Sequence, residues 1–322
     1  MSKIWKIGTR DSQLALWQAN WAKDLLMKNG VQTELVPVKS EGDIDLVTPL
    51  YEMGVQGIFT KTLDVAMLKG DIDIAVHSMK DVPTQLPKGI IQAAVLPRAN
   101  YGDVLVFNNQ LANNKCTEQI GEVHDTYHAS LNLVIATSSV RRRAQWLNRF
   151  PNHSLESLRG NVNSRLRKVY ESEWNGAIFA KAGLERIGVL PNDAVDIKWM
   201  LPAPAQGAVV VVVREDNKAL VELVKQLNDA ATALCTKIER DFLRTLMGGC
   251  TTPISALASV EDGQVNFVGQ LMSLDGKEKI EVNRVLPLTS AEEIIENIGV
   301  DAGLELLANG GAPIIEKIKQ GA

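Results

Sequence analysis

Residues 59–83 read FTKTLDVAMLKGDIDIAVHSMKDVP, and this stretch indicates the fold class. Its first half carries apolar residues at helical spacing and ends in a glycine, a common helix terminator: Phe59, Leu63, Met67 and Gly70. The apolar run 72–78 that comes next has the length of a buried strand, and it leads into a polar turn that Pro83 closes. A helix that runs directly into a buried strand is typical of a mostly parallel sheet with helices on its faces.

The same alternation of strands and helices continues on both sides of that stretch. Before it, 3–8 and 33–39 are predicted strands, and Ser12 is the predicted N-cap of the helix between them. The apolar positions of that helix are Leu14, Trp17, Trp21 and Leu25. Beyond a polar stretch at 108–115 the pattern restarts, with predicted strands at 133–137 and 177–180 and predicted helices at 140–150 and 162–170. We therefore expect two α/β lobes.

The last third of the chain has a different pattern. A Pro-rich segment at 201–205 is predicted to hold the chain extended before the entirely apolar strand 208–213. The elements predicted after it are a helix over 219–247 with a break near Asp229, strands at 254–259 and 265–271 joined by an Asp262-Gly263 hairpin, and a helix over 291–309. A smaller C-terminal α+β domain is expected. The predicted domains are 1–98 with 200–217 for the first lobe, 103–196 for the second, and 218–322 for the C-terminal domain.

Composition and charge narrow the function classes. The chain has 322 residues, more than one core usually spans, and a net charge of −4, which argues against a dedicated nucleic-acid binder. No segment has the length and apolar character of a membrane span, and the first residues lack a signal peptide. The three cysteines stand at unrelated spacings, so neither a disulfide framework nor a metal site is predicted. We expect a cytoplasmic protein that binds a small molecule, with no nucleic acid, no membrane and no obligate protein partner evident.

Cationic side chains are concentrated between residues 137 and 168, where eight Arg or Lys stand with one Glu. For those inside predicted helices, a solvated helical face is the favoured interpretation: Arg149, Arg165, Arg167 and Lys168. Arg10, Arg141 and Arg159 instead lie at predicted strand-to-helix turns, where free backbone N–H groups and the helix dipole also favour anions. We therefore predict anion binding at these three positions, by guanidinium groups that match carboxylates or phosphates.

Two other residues could carry chemistry. Asp81 follows a buried strand into a polar turn, the place where α/β sheets position ligands, and a carboxylate there could stabilise a cationic intermediate. An ordinary turn residue is the alternative. Cys250 follows two glycines, which can bring a nucleophilic thiol close to a ligand, but a buried and inert cysteine is about as common an outcome.

Several motifs of the chain occur together, and in this order, in one known family. They are Gly8–Ala19, Asp73–Pro83, Thr137–Arg142, Ser157–Val162, Ala182–Leu184, Gln206–Ala208 and Gly248–Cys250. With them the chain resembles the porphobilinogen deaminase (hydroxymethylbilane synthase) family of tetrapyrrole biosynthesis. The resemblance runs nearly end to end, and several ordered motifs are far more specific than any one of them.

The resemblance implies two lobes like those of periplasmic binding proteins, with 201–205 as the return hinge, and a third domain that carries a cofactor cysteine. Cys250 would hold a dipyrromethane cofactor through a thioether. Four porphobilinogen molecules would be joined head to tail, each with loss of ammonia, and hydrolysis would release hydroxymethylbilane. Asp81 would be catalytic, assisting loss of the amino group and stabilising cationic pyrroles. The implied cofactor contacts are Lys80, Asp81, Ser139, Arg141 and Arg142, and the implied substrate contacts are Arg10, Ser12, Lys61, Arg159 and Gln206.

Some positions depart from the family pattern. Gln56 stands where many members have a lysine in a Gly-Gly-Lys-Gly loop, and Ala205 stands where they have a glycine. Two other interpretations therefore stay open. A two-lobed anion receptor shares the lobes but has no use for a tether at Cys250, and a non-catalytic relative would keep the fold without turnover.

Overall fold

The computed structural model describes residues 3–38, 60–108, 132–247 and 251–320. Contacts divide these residues into two units, each with its own core. The first unit takes in the described parts of 3–100 together with 206–234, and the second takes in those of 101–205 and 235–320. The three-domain division given above stays a prediction.

The elements match the alternation expected from the sequence. The strands are β1 (Trp5–Thr9), β2 (Thr33–Pro37), β3 (Ile74–Ser78), β4 (Ile90–Val95), β5 (Asp103–Phe107), β6 (Val134–Ala136), β7 (Ser154–Glu156), β8 (Gly176–Ala180), β9 (Val195–Asp196), β10 (Val209–Arg214), β11 (Ile254–Glu261), β12 (Gln264–Met272) and β13 (Lys279–Pro287). The α-helices are α1 (Gln13–Lys28), α2 (Lys61–Lys69), α3 (Val140–Arg149), α4 (Val162–Glu171), α5 (Lys181–Arg186), α6 (Lys218–Lys225), α7 (Ala230–Thr245), α8 (Glu292–Leu306) and α9 (Ala312–Lys319).

The two five-stranded sheets have the same strand order. In the first unit it is β2-β1-β3-β10-β4, with β1 parallel to β2 and β3, and with β10 antiparallel to both of its neighbours. In the second unit it is β7-β6-β8-β5-β9, where β5 is the antiparallel strand. When the parallel strands are counted in chain order, each sheet therefore has the order second, first, third, then the antiparallel strand, and then the fourth. Helices cover the first sheet, and its core contains Ile7, Val76 and Val211.

The C-terminal part of the second unit contains the antiparallel sheet β11-β12-β13. Asp262 and Gly263 both have positive φ, 49° and 72°, as the predicted two-residue hairpin requires. A Cβ on Gly299 of α8 would lie 2.0 Å from the Ile238 carbonyl oxygen, so a glycine is needed where α8 crosses α7. These three sheets confirm the predicted fold class, α/β with two lobes and a smaller C-terminal α+β domain.

Several element predictions need correction. The helix predicted over 219–247 is two helices, α6 and α7, separated near Asp229 as expected. The helix predicted over 291–309 ends at Leu306, and α9 follows a kink at Gly310, where φ is 106°. The short strands β7 and β9 and the longer strands β4, β5 and β13 are absent from the prediction.

The buried face of α1 also differs from the predicted one. Small residues carry most of it, and its members are Ala15, Gln18, Ala19, Ala22 and Leu26. Trp17 is instead 37% exposed and packs against Trp21, with ring centroids 5.6 Å apart. Alanine side chains let the helix approach the sheet closely, and the bulky tryptophans lie beside the contact.

No helix in the described ranges is both long and apolar enough to cross a membrane. Nor do three or more His, Cys, Asp or Glu side chains of these ranges come together as a metal site would require.

Candidate cofactor and substrate sites

Asp81 lies where β3 ends. A short 3-10 helix, Met79–Asp81, follows the strand directly, with Ser78 at its N-cap position. The buried Met79 fixes this turn, because its N–H donates to the Ala208 carbonyl (3.0 Å). Lys80 and Asp81 are both exposed. The sheet thus places a carboxylate and an ammonium group side by side at the carboxyl end of a buried strand, the edge at which α/β sheets bind ligands.

Gln206 meets Lys80 at this edge. The Lys80 Nζ atom donates to Gln206 Oε1 (3.3 Å), and Arg98 Nε donates to the Gln206 carbonyl (2.9 Å). Gln206 is buried, and the next residue, Gly207, has a φ of 87°. A Cβ on Gly207 would lie 2.7 Å from the Ala99 carbonyl oxygen, so only glycine fits there. Two residues predicted from the resemblance are therefore in contact.

Arg10 and Ser12 lie at the end of β1, before α1. Ser12 is the N-cap that the sequence predicted, and its side chain accepts from the Ala15 N–H (3.4 Å). Arg10 is half-buried, and its charge acts on His77 of β3. Burial, together with the positive charge of Arg10, lowers the pKa of His77 to about 4. His77 is therefore neutral at pH 7, and its Nε2 makes no hydrogen bond among the described atoms.

Lys61 is the first residue of α2 and is exposed. One turn later, Asp64 is buried, and burial raises its pKa to about 6, although a hydrogen bond with Thr60 opposes that rise. Two other residues named in the sequence analysis, Gln56 and Cys250, lie outside the described residues.

The second unit contains a buried ion-pair cluster of Asp103, Arg141 and Arg142. Asp103 begins β5, and its two carboxylate oxygens each accept from one guanidinium, with 2.7 Å to Arg141 Nη2 and 2.7 Å to Arg142 Nη2. The Nη1 atoms donate to main-chain carbonyls, of Leu201 (2.8 Å) and of Ile178 (2.9 Å). Both arginines are at least nine-tenths buried, and Asp103 is 1% exposed.

The charges in this cluster shift the pKa of Asp103. Burial alone would raise that pKa, but the adjacent Arg141 and Arg142 guanidinium charges and their hydrogen bonds hold it well below its usual range. Burial likewise lowers the pKa of Arg141, and the Asp103 carboxylate opposes that shift. One carboxylate faces two guanidinium groups, so the cluster carries a net charge of +1.

This cluster fits an acidic ligand. The Nε atoms of Arg141 and Arg142 are buried and make no hydrogen bond within the described part of the chain. The cluster also lies at the N-terminus of α3, where Ser139 caps the helix by accepting from the Arg142 N–H (3.4 Å). Unpaired donors, a net positive charge and a helix N-terminus all favour a carboxylate. Sequence reasoning missed Asp103, because nothing near it in the chain marks it as the partner of the two arginines.

Arg159 lies in the turn before α4. It is 7% exposed, and the main chain beside it accepts hydrogen bonds from α4. Lys168 Nζ donates to the Arg159 carbonyl (3.1 Å), and Arg165 Nε donates to the Gly160 carbonyl (2.7 Å). The predicted solvated face is therefore wrong for Arg165 and Lys168, whose side chains build the Arg159 turn. It holds for Arg167, whose side chain is 68% exposed.

The sequence matches two family models along most of its length. Residues 5–222 match the model described as "Porphobilinogen deaminase, dipyromethane cofactor binding domain", and residues 233–308 match "Porphobilinogen deaminase, C-terminal domain". The chain belongs to the porphobilinogen deaminase family. Membership in the porphobilinogen deaminase family confirms the predicted enzyme class, a transferase of porphyrin and heme biosynthesis, and the predicted cofactor, dipyrromethane.

Curated porphobilinogen deaminases from distant organisms align over nearly the full chain. The protein of Desulforamulus reducens is 37% identical over 319 residues, 98% of each chain. That of Chlorobium phaeobacteroides is 36% identical over 329 residues, 99% of each chain. A protein of Methanocella arvoryzae named "Probable porphobilinogen deaminase" is 34% identical over 98% of each chain.

Among solved structures, similar chains include an ancestral cationic amino acid solute-binding protein (16% identity, TM-score 0.41, 70% of this chain and 87% of that one). A periplasmic substrate-binding protein of an ABC transporter from Coxiella burnetii is 15% identical, with a TM-score of 0.41, over 71% of this chain and 94% of that one.

Proposed function

We propose that this enzyme joins four porphobilinogen molecules head to tail into hydroxymethylbilane, with loss of ammonia at each addition, on a dipyrromethane primer held by a thioether to Cys250. One observation carries the proposal. The domain that matches the cofactor-binding model contains a buried cluster with one more cation than anions, and two of its Nε–H donors have no partner among the residues that the structure describes. An acidic oligopyrrole supplies the carboxylates that such a cluster lacks.

The cofactor, when bound, supplies the pyrrole position onto which new units are joined. Lys80, Asp81, Ser139, Arg141 and Arg142 would hold it. Lys80 offers an ammonium group, the α3 N-terminus offers the Ser139 hydroxyl, and the two arginines offer their Nε–H groups. The excess positive charge of the cluster would favour the bound state of the cofactor's carboxylate groups over their hydrated state.

Porphobilinogen is the substrate of this family, and it carries two carboxylates and one aminomethyl group. We assign its carboxylates to Arg10, Ser12, Lys61, Arg159 and Gln206. Arg10 and Ser12 lie at the end of β1, and Gln206 meets Lys80 beside the end of β3. Each of these groups can donate a hydrogen bond to an anion without itself carrying a negative charge.

Asp81 is the catalytic residue in this proposal. Departure of the amino group leaves positive charge on the pyrrole, and an adjacent carboxylate stabilises that charge where it develops. Asp81 is exposed at the end of the turn that Met79 fixes, so its carboxylate can face a substrate without rearrangement of the buried strand. Lys80 beside it can bind a carboxylate of the same ligand.

The experiment that tests the proposal is intact-mass measurement of the purified protein together with porphobilinogen turnover. The wild-type mass should exceed that of the bare chain by a dipyrromethane group, and Cys250→Ser should lose both the added mass and the turnover. Cys235→Ser is the matched control, because Cys235 is buried in α7 and should keep both. A bare wild-type mass without turnover, or an adduct retained in Cys250→Ser, would contradict the proposal.

A further inference from the structure

We propose that Gln145 is a positioning residue: through the main chain of Leu201 it sets the orientation of the Arg141 guanidinium and joins that contact to β11. The inference rests on the proposed function, in which Arg141 binds a carboxylate of the cofactor. It concerns an amide that neither the family description nor the charge pattern of the chain singles out.

Within the described ranges, the Gln145 side chain makes three hydrogen bonds, and none of them is to its own helix. It lies one turn after Arg141 on α3 and is 4% exposed. Its Oε1 accepts from the Leu201 N–H (2.8 Å), and its Nε2 donates to the Leu201 carbonyl (2.9 Å) and to the Ser255 hydroxyl (2.9 Å). The amide therefore holds both polar groups of one main-chain residue.

Only an amide of this length satisfies the arrangement. Leu201 presents a donor and an acceptor, so its partner must supply an acceptor and a donor from the same side chain. A carboxylate lacks the donor, and an apolar side chain of equal volume would leave the buried N–H without a partner, which is unfavourable. The chemistry of the position thus selects glutamine.

Leu201 transmits this restraint to Arg141. The Leu201 carbonyl accepts from both Gln145 Nε2 and Arg141 Nη1, since residues four apart on a helix lie on the same side. Within the described ranges, the other hydrogen bond of the Arg141 side chain is to Asp103. If the Leu201 carbonyl turned away, the Arg141 side chain would lose that hydrogen bond and keep the one to Asp103. The direction of its Nε–H would then no longer be fixed.

The same junction reaches the C-terminal sheet. Ser255 belongs to β11, and the neighbouring Ala256 N–H donates to the Pro202 carbonyl (3.1 Å). The main chain at Leu201 and Pro202 is therefore held on one side by α3 and on the other by β11. A second contact from α3 offers a control: Asn148 Nδ2 donates to the Gly276 carbonyl (2.7 Å) in the turn between β12 and β13, and Asn148 is exposed.

The test compares Gln145→Met with Asn148→Ala in the holoenzyme. Gln145→Met keeps the side-chain volume and loses all three hydrogen bonds, so kcat should fall about tenfold while KM changes less than about twofold. Asn148→Ala should leave both constants near wild type. Hydrogen exchange in the segment 200–206, followed by mass spectrometry, should accelerate about tenfold in Gln145→Met and not in Asn148→Ala.

A double-variant cycle separates positioning from mere stability. If Gln145 acts through Arg141, then Gln145→Met should add almost nothing to the kcat loss of Arg141→Lys. Additive losses, an equal loss in Asn148→Ala, or unchanged exchange at 200–206 would each overturn the proposal. Gln145→Asn, whose amide is one methylene too short, should behave like Gln145→Met and serves if that variant does not fold. The exchange measurement needs no cofactor, so it still tests Gln145 if the proposed function itself fails by mass and turnover.

Discussion

The two α/β lobes can be compared residue by residue, because both sheets have the same strand order and both first helices begin at a serine cap. Ser12 accepts from the N–H of Ala15, and Ser139 accepts from the N–H of Arg142, three residues on in each helix. Six residues after each cap stands a buried glutamine, Gln18 in the first lobe and Gln145 in the second.

The lobes differ in the residues that come after the cap. Where the first lobe has the methyl group of Ala15, the second has the buried guanidinium of Arg142, which pairs with Asp103. Gln18 donates to the Ser78 hydroxyl at the end of β3. Gln145 instead donates to the Leu201 carbonyl and to the Ser255 hydroxyl of β11. The first lobe places Lys80 and Asp81 on an exposed turn, whereas the second builds Arg141, Arg142 and Asp103 into its interior. The same fold therefore supports two ways to present charge, one adaptable and one preorganised.

The largest expected effect concerns the buried charges of the second lobe. Asp103→Asn removes the anion of the cluster and leaves two buried guanidinium groups, so the free energy of unfolding should fall by about 3–5 kcal/mol. Asp196→Asn, which removes a half-exposed partner of Lys181 on β9, should cost less than about 1 kcal/mol. Urea unfolding of both variants measures the difference, and similar losses would contradict a special role for the cluster.

The same carboxylate makes stability depend on pH. The pKa of Asp103 is lower in the folded protein than in the unfolded chain, where a value of about 3.9 is expected. Its contribution is therefore complete above about pH 5 and is lost as the pH falls toward the folded-state pKa. Wild-type stability should decline over this acid range more steeply than that of Asp103→Asn.

The next effect should be on turnover, and it belongs to the first lobe. Asp81→Asn should lower kcat about 100-fold, because the stabilising charge is removed from a site that is otherwise intact. The free energy of unfolding should stay within about 0.5 kcal/mol of wild type, since Asp81 is exposed. Asp71→Asn is the control, because Asp71 is also exposed and lies just before β3. It should change neither kcat nor the free energy of unfolding. If Asp81→Asn lowered the free energy of unfolding as much as Asp103→Asn, the proposed difference between the lobes would be wrong.

The smallest effect should be shared by both lobes. Ser12→Ala and Ser139→Ala each remove the acceptor of one helix N–H, so each should cost about 1 kcal/mol of unfolding free energy. Ser12→Thr and Ser139→Thr keep a hydroxyl acceptor and should cost less. A much larger loss for Ser139→Ala than for Ser12→Ala, measured by urea unfolding, would show that this cap also supports the Arg142 cluster.

Local patterns were enough to predict much of the fold. The strand Ile74–Ser78, the Ser12 cap and the Asp262-Gly263 turn result from spacing and from backbone preferences that act within a few residues. The buried face of α1 could not be predicted in this way, because two neighbouring stripes run along that helix. The stripe of Leu14 and Trp17 is the more apolar, but the stripe of alanines packs against the sheet.

The candidate site could be predicted only in part. Residue types at strand-to-helix turns pointed to Arg10, Arg141 and Arg159, and the structure does place Arg141 in a cationic cluster. The partners of Arg141 could not be found in this way. Asp103 is 38 residues away in the chain and Leu201 is 60 residues away, and only the folded second unit brings them to the helix.

The antiparallel strand of each sheet has a consequence for synthesis on the ribosome. In the second lobe β5 precedes the parallel strands, so all five strands have been synthesised once residue 196 is added. In the first lobe β10 lies between β3 and β4 but arrives more than a hundred residues after them. Until β10 is made, the edges of β3 and β4 that it pairs with have no partner in the first sheet, and unpaired strand edges of this kind are prone to aggregation during synthesis of the second lobe.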